Sequence, residues 1–335
     1  MRAYAYVDSI SFESLRAVER PDPNPGVRDV VIKVEAAALN YRDLAIMRGN
    51  YHVGVRPPLI PLSDGAGTVV AVGAEVTRVA VGDKACPVYL PDWIDGPVSP
   101  AVAMRRLGGP SDGVLSEYLC LNEEEVVRVP QHLAAEEAAT LPVAAVTAWH
   151  CLHQTGHVRP GDDVVVQGTG GVSTAAIQLA QAAGARVIAT TRHAAHADQL
   201  RKLGAADVLV AADDNQPKRI FELTRGRGAE TVVDVAGGGS LERSIASTKV
   251  GGRVHLVGYA AGTSASIDIF EAIRHAVTIS LATAGSRTSF ESLLRASDHL
   301  KLRPVVGRVH HVSKLADAFN DLERGGTFGK IVVRL

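Results

Sequence analysis

The sequence predicts an α/β chain of two domains, the first built of short strands and turns and the second a doubly wound parallel sheet. Three observations carry this reading. At 335 residues the chain exceeds what one hydrophobic core usually serves. Up to about residue 125, short runs rich in Val and Ala are punctuated by Gly-Asp, Pro and Gly turns; after Pro130, apolar strands alternate with alanine-rich segments of helical period. Finally, a glycine string at 168–173 sits between a strand and a helix of that second region.

Taken in order, Met1 to Val7 reads as a strand, as do residues 29–34 and 67–72, with a turn at Gly82-Asp83. Residues 90–110 contain four Pro and three Gly, and are long enough to be a functional loop rather than a simple connection. The second region places strands at 163–167, 186–190, 207–210, 231–235 and 253–257, with helices such as 174–183 and 197–203 between them, the pattern of repeated β-α units on a parallel sheet. One more strand is expected near Thr278. Beyond Ser289 the alternation stops, and the final run at 329–334 is expected to return to the first domain. The domains are therefore expected at 1–125 with 281–335, and at 126–280.

Composition narrows the function classes. Lys and Arg total 35 against 36 Asp and Glu, so no polyanionic partner such as nucleic acid is implied. No apolar run reaches membrane-spanning length and no secretory leader opens the chain, so a cytoplasmic protein is expected. The cysteines, Cys86, Cys120 and Cys151, are widely spaced and odd in number, which reads as buried thiols rather than a disulfide or metal framework.

Gly168, Thr169, Gly170, Gly171, Val172 and Ser173 follow a strand and open a helix, the context a dinucleotide fingerprint requires. Gly168 would make the tight turn, Gly170 would let backbone approach a pyrophosphate, and Ser173 takes the small position where helix and strand pack. The helix N-terminus would then present unpaired N–H groups to the anion. Cofactor choice is made at the end of the second strand, where an acidic side chain would accept from the ribose hydroxyls and repel a 2′-phosphate. That strand ends in Thr191, Arg192 and His193, with His196 beyond, and carries no carboxylate; Arg192 offers a planar fork to phosphate and the others further donors. NADPH is the expected cofactor.

Together with Thr147-Ala148-Trp149, Pro160-Gly161-Asp162 and Phe328-Gly329-Lys330, the glycine string resembles the medium-chain dehydrogenase/reductase superfamily over nearly the whole chain. Asn40-Tyr41-Arg42-Asp43 and the run from Pro61 to Gly67 are similar to its zinc-independent, quinone-oxidoreductase-like branch. The resemblance implies a GroES-like β-barrel completed by C-terminal strands, a Rossmann domain, a cleft between them for a small-molecule substrate, and a homodimer joined through Rossmann edge strands near Thr278. It also implies that Thr147, Gly258, Tyr259, Ser286, Phe328 and Lys330 approach the nucleotide. Where zinc-dependent members hold their catalytic metal, this sequence has Asn40, then Ser63 and Asp64, then Val143, a set unsuited to tetrahedral zinc; the four cysteines of the structural zinc are absent from residues 90–110.

Without a Lewis acid, hydrogen-bond donors must stabilise developing charge, which favours electron-poor acceptors. By resemblance the catalytic candidates are Asn40 as an amide donor, Tyr41 as a donor or proton source, and Asp64, with Asp43, as a group that orients the motif or holds water. Asn40 is equally readable as a turn former, and Asp43 as a cap for a helix beginning at Leu44 with Arg42 its ion-pair partner. Trp93 either walls the substrate site or closes a local cluster. His310-His311 reads as surface. Three functions remain open: a reductase of quinones or enones, a metal-independent alcohol or aldehyde oxidoreductase, and an NADPH-binding sensor with vestigial catalysis.

Overall fold

The computed structural model describes residues 1–210 and 215–335, which form two compact units: residues 1–146 with 285–335, and residues 147–284. The chain begins with β1 (Arg2–Tyr6) and β2 (Leu15–Glu19), an antiparallel pair, followed by β3 (Asp29–Ala38), β4 (Asp64–Val72), β5 (Lys84–Pro87), β6 (Tyr118–Asn122) and β7 (Val126–Arg128). The second unit contributes β8 (Asp163–Gln167), β9 (Arg186–Thr191), β10 (Asp207–Val210), β11 (Ala229–Asp234), β12 (Thr248–Leu256) and β13 (Thr278–Leu281); β14 (Val306–His311) and β15 (Lys330–Arg334) close the chain.

In the first unit β14, β15, β3, β4, β5 and β7 lie side by side in that order, and β6 pairs separately with β3. The C-terminal run does return: β15 pairs antiparallel with β3, Val332 opposite Ala38. Val30, Ile32, Val69, Ala85, Leu121 and Val126 bury one face of this sheet, and Leu39, Leu44, Ile60, Leu62 and Leu115 pack with Phe319 and Ile331 in a second cluster. Each such Val, Leu or Ile contributes about 1.5–3 kcal/mol by leaving water. The boundary differs from the one expected near residue 125. β7 adds to β5, with Cys86 opposite Val127, so the chain stays in the first unit until residue 146. The helical stretch that follows includes two π-helical pieces, Leu141–Ala145 and His150–Thr155, flanking Val146–Trp149.

The second unit is a six-stranded, all-parallel sheet in the order β10-β9-β8-β11-β12-β13. Its central strand β8 is buried at every position, as a Val-rich run covered on both faces should be. Val165, Ile188, Leu209, Val232 and Val254 meet Ile220, Leu241 and Ile245 in its core. Strand order reverses between β8 and β11, a topological switch point, and in sheets of this kind ligands bind beyond the carboxyl ends of the strands there. The helix after β8 runs Gly171–Ala182, three residues earlier than the pattern suggested, because the glycines themselves make its first turn. Residues 90–110 include one short helix, Pro100–Met104, capped by Ser99, whose hydroxyl accepts from Val102 N at 3.3 Å.

Candidate functional site

Bare backbone shapes the nucleotide candidate in the second unit. Gly168 leaves β8 at φ +78°, its N–H donating to Thr190 O at 2.8 Å, while Ser173 Oγ donates to Gln167 O at 2.6 Å and closes the turn. Gly170 is the helix N-cap, and a Cβ there would meet nothing within 4 Å. The helix therefore offers first-turn N–H groups, which lack intrahelical acceptors, at an open approach. These residues fit a dinucleotide pyrophosphate.

The carboxyl ends of β11 and β12 complete this region, β12 with the expected Gly258 and Tyr259 and β11 with residues the sequence did not single out. Asp234 is fully buried at the end of β11 and accepts from Ala236 N and Gly237 N (3.0 Å each), from Ser240 Oγ (2.6 and 2.7 Å) and from Ser244 Oγ (2.7 Å). Gln167 Nε2 donates to Ser244 Oγ at 2.8 Å, tying β8 to this network. Asp234 thereby holds Gly237, at φ +70°, against the loop after β12: a Cβ on Gly237 would lie 2.4 Å from Gly258 O, and one on Gly258 would lie 1.8 Å from Val235 O. Gly258 and Tyr259 are thus packed on the switch-point side of the sheet. The detectable signal was the Asp234-x-x-Gly-Gly spacing with serines at 240 and 244.

At the end of β9, Arg192 and His193 are exposed and His196 is partly buried, its ring 5.3 Å from that of His193. Burial, and then the nearby His193, hold His196 below the ordinary histidine range. Thr191 departs from its expected role. Its buried hydroxyl accepts from His193 N at 3.1 Å and faces His193 O at 3.5 Å, so it shapes the turn that presents Arg192 rather than offering a donor outward. Thr147 is buried in the short helix where the second unit begins.

In the first unit, Asn40, Ser63, Asp64 and Lys330 converge. Lys330 Nζ donates to Leu39 O and Asn40 Oδ1 at 2.6 Å each and lies 3.4 Å from Asp64 Oδ2; Ser63 Oγ donates to Asp64 Oδ1 at 3.0 Å, and Asn40 Nδ2 lies 3.4 Å from Ser63 Oγ. Asp64 and Ser63 are fully buried and Lys330 nearly so. Lys330, expected at the nucleotide, instead has its charge enclosed within its own unit because Asp64 needs a counterion. A zinc ion at these positions would meet an ammonium already bonded to two of its prospective ligands, and amide, hydroxyl and carboxylate oxygens are a poor set for it. The residues do not fit a catalytic zinc. Among the described residues, no cluster of three or more His, Cys, Asp or Glu side chains could hold a metal ion.

Around this centre several expectations are redrawn. The helix runs Tyr41–Met47, with Asn40 rather than Asp43 at its N-cap; Asp43 sits one turn in and accepts the Asn40 N–H at 2.7 Å. Tyr41 is 39% exposed on that helix's first turn. Trp93 is buried, its indole N–H donating to Gly96 O at 2.9 Å, so it closes its own loop rather than walling a site. Ser286 is likewise committed to structure, capping the helix Arg287–Leu300 by accepting from Ser289 N at 3.2 Å. Phe328 is half-buried two residues before Lys330. His310 pairs with Asp321 at 2.9 Å.

Two family models match the chain: an alcohol dehydrogenase GroES-like domain over residues 26–131 and a zinc-binding dehydrogenase over residues 171–298. A zinc-type alcohol dehydrogenase-like protein of Schizosaccharomyces pombe is 34% identical, the match covering 99% of both chains. An acryloyl-coenzyme A reductase of Sulfurisphaera tokodaii is 26% identical over 94% of this chain and 95% of its own. Among solved structures, a Sinorhizobium meliloti 1021 protein described as an alcohol dehydrogenase superposes with a TM-score of 0.93 at 35% identity, covering 100% of this chain and 98% of that one.

Proposed function

Since this chain belongs to the medium-chain dehydrogenase/reductase family, with a GroES-like domain and a Rossmann domain, we propose that it is an NADPH-dependent oxidoreductase that works without zinc on small, electron-poor acceptors, enones or quinones. One observation carries the zinc-free part: the buried Lys330 ammonium bonded to Asn40 and beside Asp64, where zinc-dependent relatives hold their metal. Bound NADPH would supply the hydride. Gly168, Gly170, Gly171 and Ser173 would hold its pyrophosphate, and Arg192 its 2′-phosphate.

Lys330 also sets what Asn40 can do. By taking the amide carbonyl, it leaves the Asn40 NH₂ group as the donor side, one N–H of which is directed at Ser63 Oγ 3.4 Å away. A pre-oriented amide of this kind stabilises an oxyanion as it forms. An enone or quinone, whose far carbon accepts hydride readily, asks no more of the site, whereas a simple ketone lacks that relay and needs stronger polarisation.

The name of the S. tokodaii relative, a reductase of an α,β-unsaturated thioester, favours the enone reading. Alcohol dehydrogenase names among the relatives favour a second reading, a metal-independent alcohol or aldehyde oxidoreductase. The test is oxidation of NADPH, and of NADH, against a quinone, an enal and a simple ketone, each with and without chelator. Chelator-resistant turnover of quinone or enal is expected; ketone turnover abolished by chelator overturns the zinc-free claim. Binding without any turnover would establish the sensor reading.

Assembly is proposed on the same footing. β13 ends the parallel sheet, and Leu281 on it and Ile269, Phe270 and Ile273 on the neighbouring helix Ile269–His275 are exposed, Phe270 and Leu281 to 81%. An open strand edge beside bare apolar side chains suits a second copy of the chain.

A further inference from the structure

The first unit contains a second buried polar cluster, distinct from that of Asn40, Asp64 and Lys330. Arg42 is buried with its guanidinium 5.1 Å from the ring centroids of both Tyr51 and Tyr89, and it donates to Leu107 O at 3.1 Å and Gly109 O at 2.9 Å. Arg106 is also buried; its Nε donates to Ala103 O at 2.6 Å, and its Nη1 donates to Tyr51 Oη at 3.1 Å and to His52 Nε2 at 2.8 Å. Among the described residues, Arg106 Nη2 has no hydrogen-bond partner. Tyr89 is buried, and burial raises its phenol, so it keeps its proton and donates to Tyr51 Oη 3.3 Å away. The Tyr51 O–H is then a second donor without an acceptor among the described residues.

Charge is out of balance here. Two buried guanidiniums face one carboxylate, Asp43, whose Oδ1 is 3.5 Å from Arg42 Nη1. Among the described residues no carboxylate lies within ion-pair reach of Arg106; Asp92 and Glu125 pair with Arg105 instead. A buried charge without a counterion is costly, so the cluster gains by taking one from outside. Two side chains register the surplus. His52 is held below the usual histidine range by burial, then by Arg106 and Arg42. Burial alone would push Tyr51 up, yet Arg42, the hydrogen bond with Tyr89 and Arg106 together bring it below its ordinary range. The cluster also meets solvent: Tyr51 is half-buried, His52 is exposed, and Met104, two residues before Arg106, is 60% exposed.

We propose that Arg106 and Tyr51 bind a carboxylate carried by the substrate, so that the acceptor this chain reduces is an enone bearing a carboxylate group. The claim rests on the reductase reading and narrows its substrate class. One guanidinium N–H and one phenol O–H meet the two oxygens of a carboxylate. One carboxylate also cancels one surplus positive charge, whereas a phosphate group, with a charge of about −1.5 to −2, overshoots it. The cluster is tied to the Asn40 centre at two points. Arg42 follows Asn40 by two residues in the helix Tyr41–Met47. Gly108, two residues after Arg106 and at φ +71°, lies so close to Leu62 that a Cβ on it would be 2.6 Å from Leu62 C, next to Ser63. A carboxylate anchored here restricts how an elongated acceptor lies beside Asn40, and such orientation is what hydride transfer requires.

Matched acceptors test this on the full chain. β-Acetylacrylate and its methyl ester share one enone and differ in charge; the ester is the more electron-poor, so intrinsic reactivity favours it. The wild type should prefer the acid in kcat/KM, chiefly through KM. Arg106→Gln should lower the acid-to-ester ratio roughly 10- to 100-fold, with Arg106→Lys falling between, and NADPH binding checks that each variant is folded. Calorimetry gives a second readout: levulinate, the saturated and unreactive counterpart, should bind the NADPH-loaded wild type and not Arg106→Gln. An ester preferred by the wild type, or an acid preference that survives Arg106→Gln, overturns the proposal and leaves the reductase reading standing. A wild type inert toward both acceptors, and toward quinones and enals, removes the reductase reading and the substrate class with it; levulinate binding then decides the carboxylate site alone. Should neither variant fold, the order of acid and ester in the wild type still decides.

Discussion

Asp234 carries the largest single burden in the nucleotide region, since four donor groups converge on one fully buried carboxylate. Asp234→Asn replaces an acceptor by an NH₂ group facing donors. It should destabilise the protein by about 2–4 kcal/mol in urea unfolding, given about 1.5–3 kcal/mol for each hydrogen bond to a charged partner, and weaken nucleotide binding. Arg192→Ala bears on cofactor choice: NADPH affinity should fall roughly 10- to 100-fold with NADH spared, on about 1.5–3 kcal/mol for a charge-assisted contact. Equal losses for both nucleotides would refute that assignment. His255 gives a pH signature. Its Nδ1 lies 2.6 Å from Ser280 Oγ and 3.4 Å from Thr155 Oγ1, and burial, followed by Arg253 and His150, lowers its pKa from 6.5 to about 4. The unfolded chain binds a proton that the folded chain refuses, so this stability is complete above 6.5 and is lost as pH falls to 4. At most about 3 kcal/mol is involved, and His255→Asn should flatten the slope of unfolding free energy over that window.

At the scale of elements, close approach of loops is decided by glycine. Gly258→Ala would put Cβ 1.8 Å from Val235 O, so the β11 and β12 loops must part; nucleotide binding should drop with the loss of that packing. The edge strand makes the opposite case, where side chains rather than their absence matter. Ile273→Asp and Leu281→Lys each set a charge on an exposed apolar surface that no fold contact requires. Light scattering should report a dimer for the wild type and a monomer for these variants, with monomer stability little changed; a wild-type monomer would remove the interface.

For the whole molecule, the prediction that all the readings share is metal independence. Chelation should leave turnover, stability and nucleotide binding unchanged. Lys330→Met, by contrast, should cost about 3–5 kcal/mol, because Asp64 is left buried without its partner; the double variant Lys330→Met with Asp64→Leu should recover part of that loss. A rise in zinc affinity in Lys330→Met would show that the ammonium itself excludes the metal.

Local rules were enough for the second unit's architecture: β-branched runs buried on both faces, alanine-rich helical period and a glycine string at a strand-to-helix turn are properties of neighbouring residues, and β8, β10 and the helix Ala197–Leu203 fall at the positions read from them. That Asn40, Ser63, Asp64 and Val143 stand where the resemblance expects metal ligands could also be read from the chain. Pairings across long separations were not. That Lys330, 290 residues from Asn40, would neutralise Asp64, that Thr191, Trp93 and Ser286 would turn their polar atoms to their own turn, loop and helix, and that Tyr51 would lie between Arg42 and Arg106 depend on which buried groups meet. Only folding decides this, because a buried polar atom takes whatever partner the packing brings, and sequence spacing does not encode that choice.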